Sequence, residues 1–136
     1  MIEVIFTQAK DNETYVMKVK GHAGFADPGK DVVCAAVSTL VYTLAQNVSD
    51  FYSLGWLRKE PCLKLVDGGS KITCTPRIEH RNAAKLVFIA IQRGMEMLAI
   101  NYPDFIGITK LVTDSRPSNI KKGAVHLTDR KDADYA

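Results

Sequence analysis

The alternation of apolar and polar residues predicts two strands at the start of the chain. Residues Ile2 to Thr7 and Tyr15 to Lys20 carry apolar side chains at alternate positions, the period of a strand with one buried face. The turn Lys10 to Glu13 would join them. The second strand leads into Gly21 and His22 and then into loop 23–30, whose glycines and proline exclude regular structure and make the loop mobile.

Two longer segments show the three- and four-residue spacing of helices. The first starts at Asp31, a good N-cap residue, and continues to about Leu54 with a broad apolar face. The second extends from about Asn82 to Asn101, and Pro103 would stop it. Its predicted inward positions are Leu86, Ala90, Met97 and Leu98.

A hairpin and a final strand complete the pattern. Segments Cys62 to Val66 and Lys71 to Thr75 flank Asp67-Gly68-Gly69-Ser70, where Gly-Gly would accept a type I′ turn. That turn would place Ile72 opposite Leu65 and Cys74 opposite Leu63, with Cys62 on the other face and unable to bridge to Cys74. The final strand is predicted from Phe105 to Val112.

The element order predicts an α+β fold. The order is strand, strand, helix, strand, strand, helix, strand, with both helices packed on one mixed or antiparallel sheet. Residues 1–113 would form a single domain. Residues 114–136 are polar, mixed in charge and without periodicity, so we expect a flexible C-terminal tail.

Composition places the chain among soluble globular proteins. Its 136 residues are 46% hydrophobic and 24% charged, and no apolar run approaches the roughly 20 residues of a membrane span. Three cysteines without CxxC spacing argue against a disulfide framework and a zinc site, so we expect a cytoplasmic protein without metal or cofactor. The net charge of +3 is spread along the chain and is a weak nucleic-acid signal.

The segment from Gly21 to Ser38 carries the candidate chemistry. With Asp31 as N-cap, Cys34 falls in the first helical turn, where free N–H groups favour a thiolate, and His22 can act as its base. N–H groups of residues 33–35 could stabilise an oxyanion. Asp31 either orients His22 or only caps the helix, and Ser38 either approaches the sulfur or bonds back to a carbonyl. A buried structural cysteine remains an alternative.

The segment GHAGFADPGKDVVCAAVS closely resembles the signature of the ribosomal-processing cysteine protease family, often called Prp. The resemblance extends over about four fifths of the chain, to the YPDFIGI region at residues 102–108. It implies a bacterial cysteine endopeptidase, typically a homodimer, that removes an N-terminal extension from the twenty-seventh protein of the large ribosomal subunit. The cut would follow an aromatic residue.

The resemblance assigns residues as well. It implies His22 and Cys34 as the catalytic pair and Gly21, Asp31 and Ser38 as supporting residues. The loop, including Ala23, Gly24, Phe25 and Gly29, would order over the bound peptide. Direct nucleic-acid binding is not expected. Two alternatives remain: a non-enzymatic ribosome-associated or RNA-binding module, suggested by Lys121-Lys122 and Arg130-Lys131, and a cysteine enzyme with a different acyl substrate.

Overall fold

The predicted element order is confirmed by the structure, a computed structural model that describes residues 1–27 and 30–110. Two strands precede a helix, the next two strands form a hairpin, and a second helix leads into the last strand. The elements are β1 Ile2–Gln8, β2 Tyr15–Lys20, α1 Val32–Ser53, β3 Leu63–Val66, β4 Gly69–Cys74, a single 3-10 turn Ile78–His80, α2 Arg81–Asn101 and β5 Ile106–Thr109.

The five strands within the described residues form one mixed sheet in the order β3-β4-β2-β1-β5. β1 and β5 are parallel, with Ile2 beside Ile106, and the other neighbours are antiparallel. The connection from β2 through α1 to the hairpin places β4, not β3, beside β2. As a result, the turn of the β3-β4 hairpin lies at the end of β2 from which the chain continues to His22.

One face of the sheet and the two helices enclose the core, as the α+β prediction requires. Val4, Phe6 and Met17 on the sheet are buried to 1% exposure or less, as are Leu44 on α1 and Phe88 on α2. The predicted inward face of α2 was partly wrong. Leu86 is 66% exposed and Ala90 is also exposed, whereas the buried side chains of α2 are Ala84, Phe88, Ile91, Gln92, Met95, Glu96 and Leu98.

The predicted register of the hairpin was wrong by two residues. Leu63 pairs with Ile72 and Val66 with Gly69, so the turn consists of Asp67 and Gly68. Gly68 has a φ of +75°, but the φ of Asp67 is not positive. The turn is therefore not of type I′, which needs a positive φ at both positions. The predicted separation of Cys62 from Cys74 holds, because Cys62 is exposed, Cys74 is buried and both are free thiols.

Helix α1 is long and apolar enough to cross a membrane by length and composition alone. One face of the helix instead packs in the core, with Val33, Leu44 and Val48 fully buried, and a core helix of a soluble protein can have the same length and composition. The last residues of the predicted final strand and the predicted tail at 114–136 lie outside the described residues. Within residues 1–27 and 30–110, no cluster of candidate metal ligands occurs.

Candidate active site

The side chain of Asp31 fixes the first turn of α1. Asp31 is the N-cap residue, and its Oδ1 accepts a hydrogen bond from the N–H of Cys34 at 2.9 Å. Its Oδ2 accepts from the N–H groups of Phe25 at 3.0 Å and Ala26 at 3.3 Å. These three donors stabilise the carboxylate and hold the pKa of Asp31 below its usual value, and the N–H of Cys34 has the largest effect. One carboxylate thus joins the loop to the helix and positions Cys34.

The first half of the loop is anchored in this conformation. The N–H of Ala23, a buried residue, donates to Sγ of Cys34 at 3.4 Å. The ring of Phe25 packs edge-on against Tyr102 at 5.6 Å and Phe105 at 5.1 Å between centroids. Gly24 has a φ of +68° and free space around its Cα, while Gly29 lies outside the described residues. The loop that sequence alone suggests is mobile therefore has fixed attachments on both sides of Gly24.

Gly21 shapes the chain just before the histidine. It has a φ of +86°, and a Cβ on it would lie 2.5 Å from the carbonyl oxygen of Met1, which is closer than any real contact. Its N–H donates to the carbonyl oxygen of Gly68 at 3.0 Å. Only glycine combines this positive φ with so close an approach to the Met1 carbonyl, so Gly21 allows β2 to end in the bend that presents His22.

The turn of the β3-β4 hairpin packs against the imidazole of His22. A Cβ on Gly68 would lie 2.9 Å from Nε2 and 3.3 Å from Cε1 of His22, so the ring occupies the space that a side chain would fill. Sequence reasoning interpreted Asp67 and Gly68 only as a turn. Their role depends on the pairing of β4 with β2, and no signal in the sequence indicates that pairing.

Two cavities meet at His22 and Cys34. The first, of about 210 Å³, lies between α1 and the hairpin, and both of these elements contribute apolar side chains to its lining. The second, of about 500 Å³, lies beneath the loop. Both are lined by His22, Cys34, Ser38 and Asp67; the first adds chiefly Val37, Val41, Tyr42, Leu65 and Val66, and the second adds Gly24, Ala26, Asp31 and Ala35. An extended peptide can thus pass through both cavities with a bond at Cys34.

The supporting residues occupy more specific places than the sequence indicated. Both oxygens of Asp31 are engaged by backbone N–H groups, and it makes no hydrogen bond to His22 in the described part of the chain. The exposed Ser38 faces both cavities one helical turn after Cys34. The expected oxyanion donors at Cys34 and Ala35 already donate to Asp31. The N–H of Ala23, which donates to the sulfur, is a further donor that sequence reasoning missed.

Alkylation should separate the three thiols. Burial raises the pKa of Cys74 to about 12, whereas Cys62 is exposed and Cys34 is partly exposed in the cavity. Because the thiolate is the reactive species, brief iodoacetamide treatment of the folded protein should modify Cys34 and Cys62 and leave Cys74 unmodified. Peptide mass spectrometry measures the alkylation of each cysteine, and Cys74 should become alkylated once the protein is unfolded in denaturant. Labelling of Cys74 in the folded protein would contradict its place in the core.

Asp31 should make stability depend on acid pH. The pKa of Asp31 is lowered in the folded state, so its charge stabilises the fold at pH values above its unfolded pKa of about 3.9. This stabilisation is lost as the pH falls through the folded-state pKa. We expect the Asp31→Asn variant to have a lower melting temperature than the wild type at neutral pH, and the difference in melting temperature should shrink towards about pH 2. Circular dichroism melts would measure this. The exposed Asp104→Asn serves as control, and a difference independent of pH would contradict the role of charge.

The fold and the site define a class. A thiol at a helix start and an imidazole lining the same cavities are the groups of a cysteine hydrolase. A profile of the cysteine protease Prp family matches residues 1–107. The chain belongs to this family and is a cysteine protease. Among curated proteins, no sequence matches significantly.

Solved structures share the fold. The essential ribosomal processing protease Prp from S. aureus with a covalently linked product peptide is 19% identical, with a TM-score of 0.60, over 80% of this chain and 98% of that one. The same protease with a substrate peptide gives 18% and 0.56 over the same shares. The protein SMU.848 from Streptococcus mutans is 29% identical, with a TM-score of 0.56, over 83% of this chain and 96% of that one.

Proposed function

We propose that this protease removes an N-terminal extension from a ribosomal protein, the twenty-seventh of the large subunit, during ribosome maturation. The observation that carries the proposal is that the thiol of Cys34 and the imidazole of His22 line the same two cavities, in a chain of the Prp family. The S. aureus relative described as a ribosomal processing protease supports the substrate class. A ribosomal substrate favours a cytoplasmic site of action.

The chemistry follows from the groups at this junction. His22 accepts the proton of the Cys34 thiol, and the thiolate attacks the carbonyl carbon of the scissile peptide. The N–H of Ala23, 3.4 Å from Sγ, is near enough to donate to the oxyanion that forms. His22 then protonates the leaving amine as the C–N bond breaks. Water, deprotonated by His22, hydrolyses the thioester and frees Cys34.

The two cavities suggest how the substrate lies. The cavity between α1 and the hairpin has walls of Val37, Val41 and Leu65, which suit an apolar extension and the aromatic residue before the cut. The other cavity, below the loop, would take the residues after the cut. The exposed carboxylate of Asp67 also lines that second cavity, which suits the basic body of a ribosomal protein.

The test is mass spectrometry of the extended ribosomal protein after incubation with wild type and with Cys34→Ala. A defined N-terminal loss with the wild type alone supports both the activity and the nucleophile. A loss with both proteins would mean that Cys34 is not the nucleophile. No loss with either, in folded and reduced protein, would overturn the substrate and favour a non-enzymatic ribosome-associated role.

We propose further that the protease is a homodimer. Leu86 on α2 is 66% exposed and Ile78 just before α2 is 75% exposed, and exposed apolar residues of this size are commonly covered at subunit interfaces. Light scattering of the purified chain at micromolar concentration should give twice the monomer mass. The monomer mass would contradict the proposal.

A further inference from the structure

The face of the sheet opposite the helices collects lysines from three adjacent strands. Lys64 on β3 lies opposite Lys71 on β4, and Lys71 lies opposite Lys18 on β2. Lys20 follows two residues later on β2 and points to the same face. We define Lys18, Lys20, Lys64 and Lys71 as the lysine face. The charges that look dispersed in the sequence are thus brought together by the register of the sheet.

This face holds almost no compensating charge. Glu3, opposite Lys20, is the only acidic residue among its strand positions, and the five charges together give +3, equal to the formal charge of the whole chain. None of the four lysines makes an ion pair in the described part of the chain. Like charges directly opposite each other in a sheet are unfavourable, so packing alone does not explain the row.

The remaining side chains of the face indicate the kind of partner. The neighbouring strand positions carry Ile5, Val16, Val66 and the hydroxyls of Thr7, Thr73 and Thr109. No aromatic ring occurs at these strand positions, so bases of a single strand have nothing to stack on. Lysines and hydroxyls on a flat surface match the phosphates and sugar hydroxyls of a duplex, which carry no sequence information.

We propose that the lysine face binds the phosphate backbone of double-stranded RNA and holds the protease beside the RNA that accompanies its substrate. The choice of RNA over another polyanion rests on the proposed ribosomal substrate. Lys20 lies two residues before His22, so RNA on this face would lie next to the active site without entering either cavity. A basic ribosomal protein would be repelled by the same face.

Binding of a fluorescent RNA duplex to the full-length protein, measured by anisotropy at several salt concentrations, tests this. The logarithm of the binding constant falls with the logarithm of the salt concentration, with a slope of about −0.9 per phosphate contact. For four contacts, raising the salt from 50 to 200 mM should therefore weaken binding about 150-fold. The double variant Lys18→Gln and Lys71→Gln should bind at least tenfold more weakly at 50 mM salt, with a loss of only about 12-fold over the same range. The matched control changes Lys10 and Lys85, both exposed and outside the strands, to Gln.

The outcomes separate this proposal from the proposed function. Equal weakening by the control variant, no binding at 50 mM salt, or equally tight binding of polyglutamate would each overturn the RNA assignment. Cleavage of a short extension peptide is measured in parallel and should be unchanged in both variants. If RNA binding behaves as expected while no ribosomal extension is cleaved, the proposed substrate fails and the lysine face stands.

Discussion

Cys34→Ser is expected to lower kcat/KM for the extension peptide by about a thousandfold or more, because a serine hydroxyl is far less ionised than a thiol. The hydroxyl would keep the place of the sulfur near the N–H of Ala23, so the change tests the nucleophile and not the fold. Hydrolysis of a synthetic extension peptide, followed by chromatography, measures the loss. Thermal midpoints should stay close to that of the wild type.

Ser38→Ala is the control for this prediction. Ser38 lines the same two cavities one helical turn away, and its hydroxyl makes no hydrogen bond within the described residues. We expect its loss to cost less than about tenfold, as for a residue that does not form the transient bonds of the reaction. Equal losses for both variants would contradict the assignment of Cys34 as nucleophile and Ser38 as a supporting residue.

Local features of this fold are readable from the sequence because each has a local cause. Alternation predicts β1 and β2, and the spacing of apolar residues predicts α1 and α2. Asp31 predicts the start of α1 because an N-cap carboxylate acts within three residues. The same local logic places Cys34 in the first helical turn, where the structure has it.

Features that depend on distant contacts were not predictable. Gly68-Gly69 and Asp67-Gly68 both make acceptable two-residue turns, and only the pairing of β4 with β2 decides the register. The inward row of α2 was misjudged because many of its positions are apolar, and the row used depends on packing against α1 and β5. The engagement of Phe25 with Phe105 joins residues 80 positions apart.

The site shows the same division. Sequence reasoning placed His22 and Cys34 at the ends of neighbouring elements, but it left the role of Asp31 open. The structure has Asp31 engaged with N–H groups of the loop and helix, and it has the hairpin turn behind His22. The lysine face likewise appears only when β3, β4 and β2 are paired.

The close contact between the hairpin turn and His22 should make activity depend on Gly68. Gly68→Ala should lower kcat/KM by about a hundredfold, since its methyl group needs the space of Nε2 and a catalytic group displaced by about 1 Å loses rate on this scale. The imidazole can move into solvent, because His22 is exposed. We therefore expect a folded protein in which His22, the proposed base, is displaced, and peptide hydrolysis well below the melting temperature measures the effect.

Gly69→Ala is the matched control one residue later. A Cβ at Gly69 meets nothing within 4 Å, and its φ lies outside the positive range. Gly69 lines the cavity between α1 and the hairpin, but a methyl group there would contact neither His22 nor any other residue, so activity should remain within about twofold of the wild type. Gly68→Ala also strains a residue with a φ of +75°, so its thermal midpoint should fall as well. If the midpoint falls while activity at low temperature is retained, the turn supports the fold alone, and Gly68 does not position His22.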